Sequence, residues 1–109
     1  MLGVDIIELK QLPDFKSQKE KRFFRDNFSK RELRYIENSL NQKHTIAVLF
    51  SLKESMLKCD NSLIDTPFNK INITLENSYA FHPKFNLSFS TLKSQAIISM
   101  ALIKNFNVI

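Results

Sequence analysis

The chain has 109 residues, of which 43% are hydrophobic, and it carries a formal net charge of +5 at pH 7. Its one cysteine, Cys59, excludes an internal disulfide and a cysteine-rich metal site, and two histidines are too few for a histidine-based zinc motif. No stretch approaches the roughly 18 consecutive apolar residues of a membrane helix, and the apolar start lacks a basic leader, so we expect one cytoplasmic domain over residues 1–109, with no signal peptide and no membrane partner.

The first predicted element is a short strand over residues 2–7, where apolar side chains occupy every second position. Asp5 lies in the middle of this strand, and a buried carboxylate is costly unless a metal, a cation or hydrogen bonds compensate its lost hydration. The alternative is an aspartate that accepts hydrogen bonds from nearby backbone amides. A basic segment, helical or irregular, follows from Pro13 to about Arg25. We expect three aromatic residues to anchor it: Phe15, Phe23 and Phe24.

Two helices are predicted next. Ser29 and Glu32 form a capping box, in which the hydroxyl and the carboxylate satisfy the first free amides of a helix that runs to about Ser39. After a break at Asn41-Gln42, a longer helix is expected from about Lys43 to Lys58. Its residues at four-residue spacing begin apolar and end charged, in the order Ile46, Phe50, Glu54 and Lys58. We therefore expect Glu54 and Lys58 on a face whose first half packs inward; the alternative is an ordinary exposed pair one turn apart.

The rest of the chain is predicted to form strands. A loop over residues 60–69 leads to a strand at residues 70–75, a turn at residues 76–78 and a second alternating strand at residues 85–90. The continuous apolar run from Ala96 to Ile103 predicts a buried strand. A strand, then helices, then several strands indicates an α+β fold with an antiparallel sheet packed against helices.

The positive charge is concentrated early in the chain, in Lys16, Lys19, Lys21, Arg22, Arg25, Lys30, Arg31 and Arg34. Such a surface favours an acidic partner, whether nucleic acid, an anionic membrane, an acidic protein or a polyphosphate. Residues 21–25 interleave aromatic and cationic side chains, which suits docking of an acidic helix or a nucleic-acid backbone, or a solvated amphipathic helix with Phe23 and Phe24 in the core. A basic nucleic-acid-binding module is thus one alternative, but no recognisable motif supports it, and we expect no nucleic-acid partner.

Ser88, Ser90 and Thr91 are candidate donors to phosphate oxygens at the end of a strand, and the alternative is ordinary polar alternation. A single glycine cannot build a P-loop or a dinucleotide-binding turn, and nothing indicates a Ser-His-Asp triad.

Together, four motifs in register resemble the small holo-acyl-carrier-protein synthases, a branch of the 4'-phosphopantetheinyl transferase superfamily. Gly3-Val4-Asp5-Ile6-Ile7-Glu8-Leu9 is similar to the family's opening strand, and the segment from Lys21 to Leu33 is similar to its basic Arg-Phe segment. Phe50-Ser51-Leu52-Lys53-Glu54 with Lys58 is similar to its Phe-x-x-Lys-Glu-x-x-x-Lys helix. Leu87-Ser88-Phe89-Ser90 is similar to its late Ser-x-Ser strand.

The resemblance implies a Mg²⁺-dependent enzyme that moves 4'-phosphopantetheine from coenzyme A to a serine of an acidic acyl carrier protein, releasing adenosine 3',5'-bisphosphate. By the same resemblance, Asp5 and Glu54 bind the metal, and Lys58 completes the catalytic set by neutralising charge on the phosphate. Glu54 also helps to deprotonate the carrier serine. The residues expected to contact coenzyme A are Lys53, Lys58, Ser88, Ser90 and Thr91. Those expected to contact the carrier protein are Lys10, Arg22, Phe23 and Arg25. The resemblance also implies a homotrimer with active sites at the subunit interfaces, as in the small members of the family.

The chain departs from the family pattern at several positions. Thr91 stands where the family usually has histidine, Leu49 where it usually has arginine, and Gln11 where a basic residue is common. Residues 59–62 replace a glycine-containing turn. Because these positions fall in the regions expected to contact coenzyme A and the partner, the alternative to an active enzyme is a decayed relative that still binds carrier protein or coenzyme A. Whether Thr91 or His82 takes over the role of the missing histidine stays open.

Overall fold

The computed structural model describes residues 1–16 and 21–104. Over these ranges the α-helices are α1 (Lys21–Asn27), α2 (Lys30–Glu37) and α3 (Gln42–Cys59), and the strands are β1 (Leu2–Glu8), β2 (Thr74–Glu76), β3 (Tyr79–His82), β4 (Phe85–Leu92) and β5 (Ala96–Ile103). Short 3-10 turns occupy Leu9–Gln11, Asn61–Asp65 and Phe68–Lys70. The predicted α+β fold is confirmed. The part of the predicted basic segment at residues 17–20, with Lys19, lies outside the described residues. No helix in the described ranges has both the length and the hydropathy needed to cross a membrane.

The strands form one antiparallel sheet in the order β1-β5-β4-β3-β2, so that the first and last strands of the chain are neighbours. Asp5 on β1 lies directly opposite Ser99 on β5. The long helix α3 packs across these two strands. The side chains that point toward α3 from the middle of β5 are fully buried, which places the core of the molecule between α3 and this part of the sheet.

The helix α3 begins at Gln42, one residue before the predicted start, because the Asn41 side chain accepts a hydrogen bond from the backbone amide of His44 and caps the first turn. The predicted change from buried apolar to exposed charged side chains at four-residue spacing along α3 is also confirmed. Ile46 is fully buried, Phe50 and Glu54 are half-buried, and Lys58 is exposed. The C-terminal end of α3 therefore brings charged side chains to the edge of a packed core.

Gly3 lets β1 approach α3 unusually closely. A Cβ atom at this position would lie 1.9 Å from the backbone oxygen of Ser55 and 2.6 Å from the backbone nitrogen of Cys59. Only a residue without a side chain fits, so the only glycine of the chain sets the spacing between strand and helix. Asp5, two residues further along the same face of the strand, is thereby held against α3.

The predicted capping box of α2 is present. The Ser29 hydroxyl accepts from the backbone amide of Glu32, and the Glu32 carboxylate accepts from the backbone amide of Ser29. Glu32 is almost fully buried, and its second oxygen accepts from the backbone amide of Ile73 at 2.8 Å. The side chain that starts α2 therefore also fixes the segment that leads into β2.

Two strand predictions and the end of one helix need correction, and one strand was not predicted. The strand predicted at residues 70–75 is confined to β2, because Phe68–Lys70 forms a 3-10 turn and the backbone amide of Ile73 bonds to a side chain instead of a strand. The strand β3 was not predicted. The strand β5 has the predicted bounds, but it is buried on one face only, since Met100 and Leu102 are 42% and 45% exposed. The helix α2 ends at Glu37, two residues before the predicted end.

Candidate active site

Asp5 receives two hydrogen bonds from α3, one on each carboxylate oxygen. The Lys58 ammonium donates to Oδ1 at 2.8 Å, and the Ser51 hydroxyl donates to Oδ2 at 3.0 Å. The Asp5 side chain is only 11% exposed, whereas the Lys58 side chain is 53% exposed. The carboxylate is thus compensated by a cation and a hydroxyl, which favours the first of the two interpretations of Asp5 drawn from the sequence.

Glu54 lies on α3 one turn before Lys58 and close enough to Asp5 for their charges to interact. Burial and the neighbouring Asp5 carboxylate raise the pKa of Glu54, and Lys58 opposes that rise. Two carboxylates and one ammonium therefore share one half-buried position at the C-terminal end of α3. We call this set the Asp5–Glu54–Lys58 group.

The donor set of this group fits a hard divalent cation that is shared with an anionic ligand. Within the two described ranges, no group of three or more His, Cys, Asp or Glu side chains could hold a metal by itself. Mg²⁺, however, is usually held by one or two carboxylates, with water and substrate phosphates completing its oxygen ligands. Asp5 and Glu54 supply two such carboxylates, and their mutual repulsion is what a bound cation would relieve.

Lys53 does not belong to this group, which corrects its predicted contact with coenzyme A. Its side chain is fully buried, and its ammonium donates to the Glu32 carboxylate and to the backbone oxygens of Asn27 and Phe68. These three acceptors use all three hydrogens of the ammonium, so none is left for a ligand. Lys53 instead ties together α1, α2, α3 and the turn at Phe68–Lys70.

The predicted phosphate donors of β4 lie away from the Asp5–Glu54–Lys58 group within one chain. Ser88 and Ser90 pair with Met100 and Ile98, on the face of the sheet opposite to α3. Thr91 faces the helix side, but it lies on β4, two strands away from β1, which corresponds to roughly 10 Å at the usual strand spacing. The coenzyme A contacts of these three residues stay predictions.

Thr91 has a histidine partner that the sequence did not suggest. The His44 Nε2 atom lies 2.8 Å from the Thr91 hydroxyl oxygen, so a histidine from the first turn of α3 reaches the position where the family usually has one on the strand. His82, the other candidate, lies on β3 beside Phe85, at the opposite end of β4.

The residues predicted to contact the carrier protein lie on or near the surface. Lys10, Arg22 and Arg25 are exposed, and each forms an ion pair with a nearby exposed carboxylate. Phe23 is half-buried and packs against Phe50, with ring centroids 5.6 Å apart. Because Phe50 lies one turn before Glu54 on α3, this contact sets the basic helix α1 beside the face that carries the charged group.

Sequence reasoning missed the serines behind Asp5. Ser51 and Ser55 on α3 and Ser99 on β5 are buried, and their hydroxyl groups bond to one another. The signal that could have found them is the pair of small residues four apart on the long helix, combined with Gly3 on a strand that must pack closely against it.

A model of the 4'-phosphopantetheinyl transferase superfamily matches residues 1–101. A search of curated protein sequences gives no significant match.

Similar solved structures include holo-[acyl-carrier-protein] synthase from Thermotoga maritima, with a TM-score of 0.74 and 17% identity over 95% of this chain. This chain covers 62% of the Thermotoga chain. Holo-ACP-synthase from Plasmodium yoelii has a TM-score of 0.66 and 21% identity, with 95% of this chain and 94% of that chain covered. The Helicobacter pylori synthase, solved in complex with coenzyme A, has a TM-score of 0.61 and 18% identity, with 95% and 100% covered. At these identities the likeness shows a common fold.

Proposed function

Because the chain belongs to the 4'-phosphopantetheinyl transferase superfamily, we propose that it is a holo-acyl-carrier-protein synthase, which transfers 4'-phosphopantetheine from coenzyme A to a serine of an apo acyl carrier protein. The observation that carries this proposal is the Asp5–Glu54–Lys58 group. Asp5 and Lys58 are 53 positions apart in the sequence, yet the Lys58 ammonium contacts the Asp5 carboxylate, and Asp5 raises the pKa of Glu54.

The reaction needs alignment and neutralisation of charge more than it needs a nucleophile from this chain. The carrier serine oxygen forms a bond to the phosphorus next to pantetheine, and the bond from that phosphorus to the bridging diphosphate oxygen breaks. Adenosine 3',5'-bisphosphate leaves with that oxygen. Glu54 accepts the serine proton, directly or through water, and Lys58 neutralises the charge that develops on the departing 5'-phosphate of adenosine 3',5'-bisphosphate. A Mg²⁺ held by Asp5 and Glu54 would supply Lewis-acid polarisation of the phosphoryl oxygens.

The basic surface of α1 supports an acidic carrier protein as the partner. Arg22 and Arg25 are exposed on this helix, and Phe23 packs it beside the α3 face that carries Glu54. A negatively charged helix docked on α1 would therefore approach the charged group, and the attraction would raise the association rate most at low salt. We propose that the transfer takes place in the cytoplasm.

The open face of the sheet supports assembly into a homotrimer with shared sites. The open face consists of the apolar side chains on β1 and β5 that point away from α3: Leu2, Val4, Ile6, Ile98, Met100 and Leu102. Most are 42–61% exposed, and contiguous apolar patches of this kind are uncommon on monomers. Ser88 and Ser90 lie beside this face, so a neighbouring copy docked on it would gain phosphate donors that are out of reach within one chain.

The test of the reaction is the intact mass of an apo acyl carrier protein after incubation with this protein, coenzyme A and Mg²⁺. We expect a gain of one phosphopantetheine group that EDTA prevents. Glu54→Gln should lower kcat/KM at least about 100-fold, whereas the control Glu37→Gln, at an exposed position of α2, should not change it. Coenzyme A binding without any mass gain would contradict an active enzyme and select the decayed relative.

Assembly is tested by light scattering coupled to size-exclusion chromatography. We expect a mass of three chains for the native protein and a lower mass for Val4→Asp, because a carboxylate in the centre of the open face cannot be buried without a partner. A single-chain mass for the native protein at all concentrations would refute the trimer and leave the transfer reaction to be judged by the mass assay.

A further inference from the structure

A row of three buried serine hydroxyls ends at the Asp5 carboxylate. The Ser55 oxygen lies 2.5 Å from the Ser99 oxygen, which lies 2.7 Å from the Ser51 oxygen, and Ser51 reaches Asp5 Oδ2 at 3.0 Å. Ser51 and Ser55 are fully buried, and Ser99 is 1% exposed. Serine is mostly exposed in proteins, and apolar side chains normally fill the contact between a strand and a helix. Three buried hydroxyls that bond to one another therefore indicate that they serve the carboxylate at the end of the row.

The ionised carboxylate fixes the direction of every hydrogen bond in this row. A carboxylate can only accept, so Ser51 must give it the single hydrogen of its hydroxyl. Ser99 must then donate to Ser51, and Ser55 must donate to Ser99. Aligned in this way, each bond polarises the next, and the last hydroxyl becomes a stronger donor to Asp5 than an isolated serine.

We propose that Ser51 is a positioning residue for the cation-binding carboxylate, and that Ser99 and Ser55 reinforce it. This inference rests on the proposed function. The bond to Oδ2 holds the Asp5 side chain in one rotamer, which leaves Oδ1 as the oxygen turned toward Lys58 and the outside. Lys58 is long and exposed and can move aside, whereas Ser51 is short and buried and stays in place. Hydrogen-bonding partners of this kind commonly set metal affinity.

The experiment compares two serines of the same helix. Ser51→Ala removes the hydroxyl that contacts Asp5, and Ser55→Ala removes the hydroxyl at the far end of the row. Both positions are buried, both lie in the interior of α3, and both changes delete one oxygen. Binding of Mn²⁺ alone, followed by water-proton relaxation enhancement, reports the cation site without any turnover. We expect Ser51→Ala to weaken Mn²⁺ binding about tenfold, and Ser55→Ala to weaken it less than about threefold.

A second readout separates positioning from a loss of stability. The Mg²⁺ concentration for half-maximal transfer should rise with Ser51→Ala, while KM for the carrier protein stays unchanged and the melting temperatures of the two variants stay similar. If both variants bind Mn²⁺ like the native protein, or if the native protein binds no Mn²⁺, the inference is overturned. If Mn²⁺ binding falls only in Ser51→Ala but the native protein transfers no phosphopantetheine, the positioning role stands and the proposed function fails.

Discussion

Replacing Gly3 with alanine tests whether the contact between β1 and α3 holds the Asp5–Glu54–Lys58 group together. The added Cβ would lie 1.9 Å from the Ser55 oxygen, about 1.5 Å short of the 3.4 Å at which ordinary contact begins. The obstructing atoms belong to the helix backbone, so no side-chain rotation relieves them, and β1 must shift outward. We expect a loss of about 3 kcal/mol in the free energy of unfolding, which lowers the melting temperature by on the order of 10 °C.

The same shift should also weaken cation binding at the proposed site on Asp5 and Glu54. A strand displaced by this distance carries Asp5 away from Ser51, and their 3.0 Å bond would stretch beyond hydrogen-bonding range. We would measure thermal unfolding by circular dichroism and Mn²⁺ binding by proton relaxation. The control is Ser78→Thr, which adds one carbon at an exposed position in the turn between β2 and β3. A Gly3→Ala protein that melts within about 3 °C of the native protein and binds Mn²⁺ normally would refute the close-contact argument.

Three further predictions follow from other parts of the structure. Burial and the Asp5 carboxylate raise the pKa of Glu54 above its ordinary 4.5, so ionisation of this carboxyl costs stability as the pH rises above that value. Glu54→Gln should therefore raise the melting temperature at pH 7 but hardly at pH 4. An equal change at both pH values would contradict this. Lys53→Met leaves the buried Glu32 without its counter-ion and should cost about 3–5 kcal/mol in urea unfolding, whereas Lys30→Met, at an exposed position of α2, should cost less than about 0.5 kcal/mol. Ser94 has a positive φ of 59° in the turn between β4 and β5, so Ser94→Gly should stabilise the protein by about 0.5–1 kcal/mol, and a lower melting temperature would show that the turn tolerates serine without strain.

The long helix and the last strand could be predicted because their signals are local. The spacing of Ile46 and Phe50 and the break at Asn41-Gln42 indicate α3, and the continuous apolar run defines the bounds of β5. The segment before β2 could not be predicted in the same way. Its alternating isoleucines look like a strand, but the acceptor for the amide of Ile73 is Glu32, which lies 41 positions earlier in the sequence. No local pattern reveals a partner at that distance.

The charged group could be predicted although Asp5 lies far from Glu54 and Lys58 in the sequence, whereas the burial of Lys53 could not. Glu54 and Lys58 share a helical face, and an aspartate inside an apolar strand signals an unusual partner, so their meeting could be expected. Lysine side chains are rarely fully buried, so Lys53 was expected to contact a ligand, and the capping box seemed to account for Glu32 completely. Only the packing of α2 against α3 shows that the two side chains neutralise each other in the core.

The three bonds of Glu32, to the first turn of α2, to Lys53 and to the amide of Ile73, have a consequence for how the molecule opens. The first turn of most helices frays independently, since its cap is replaced by water at little cost. In this protein, fraying of α2 would also strip the buried Lys53 of its counter-ion and the amide of Ile73 of its acceptor. Local opening at this helix end therefore costs more than the loss of a cap alone, because it also leaves a buried cation and a buried amide without partners. The start of α2, the middle of α3 and the segment before β2 form one cooperative unit, although they are far apart in the sequence.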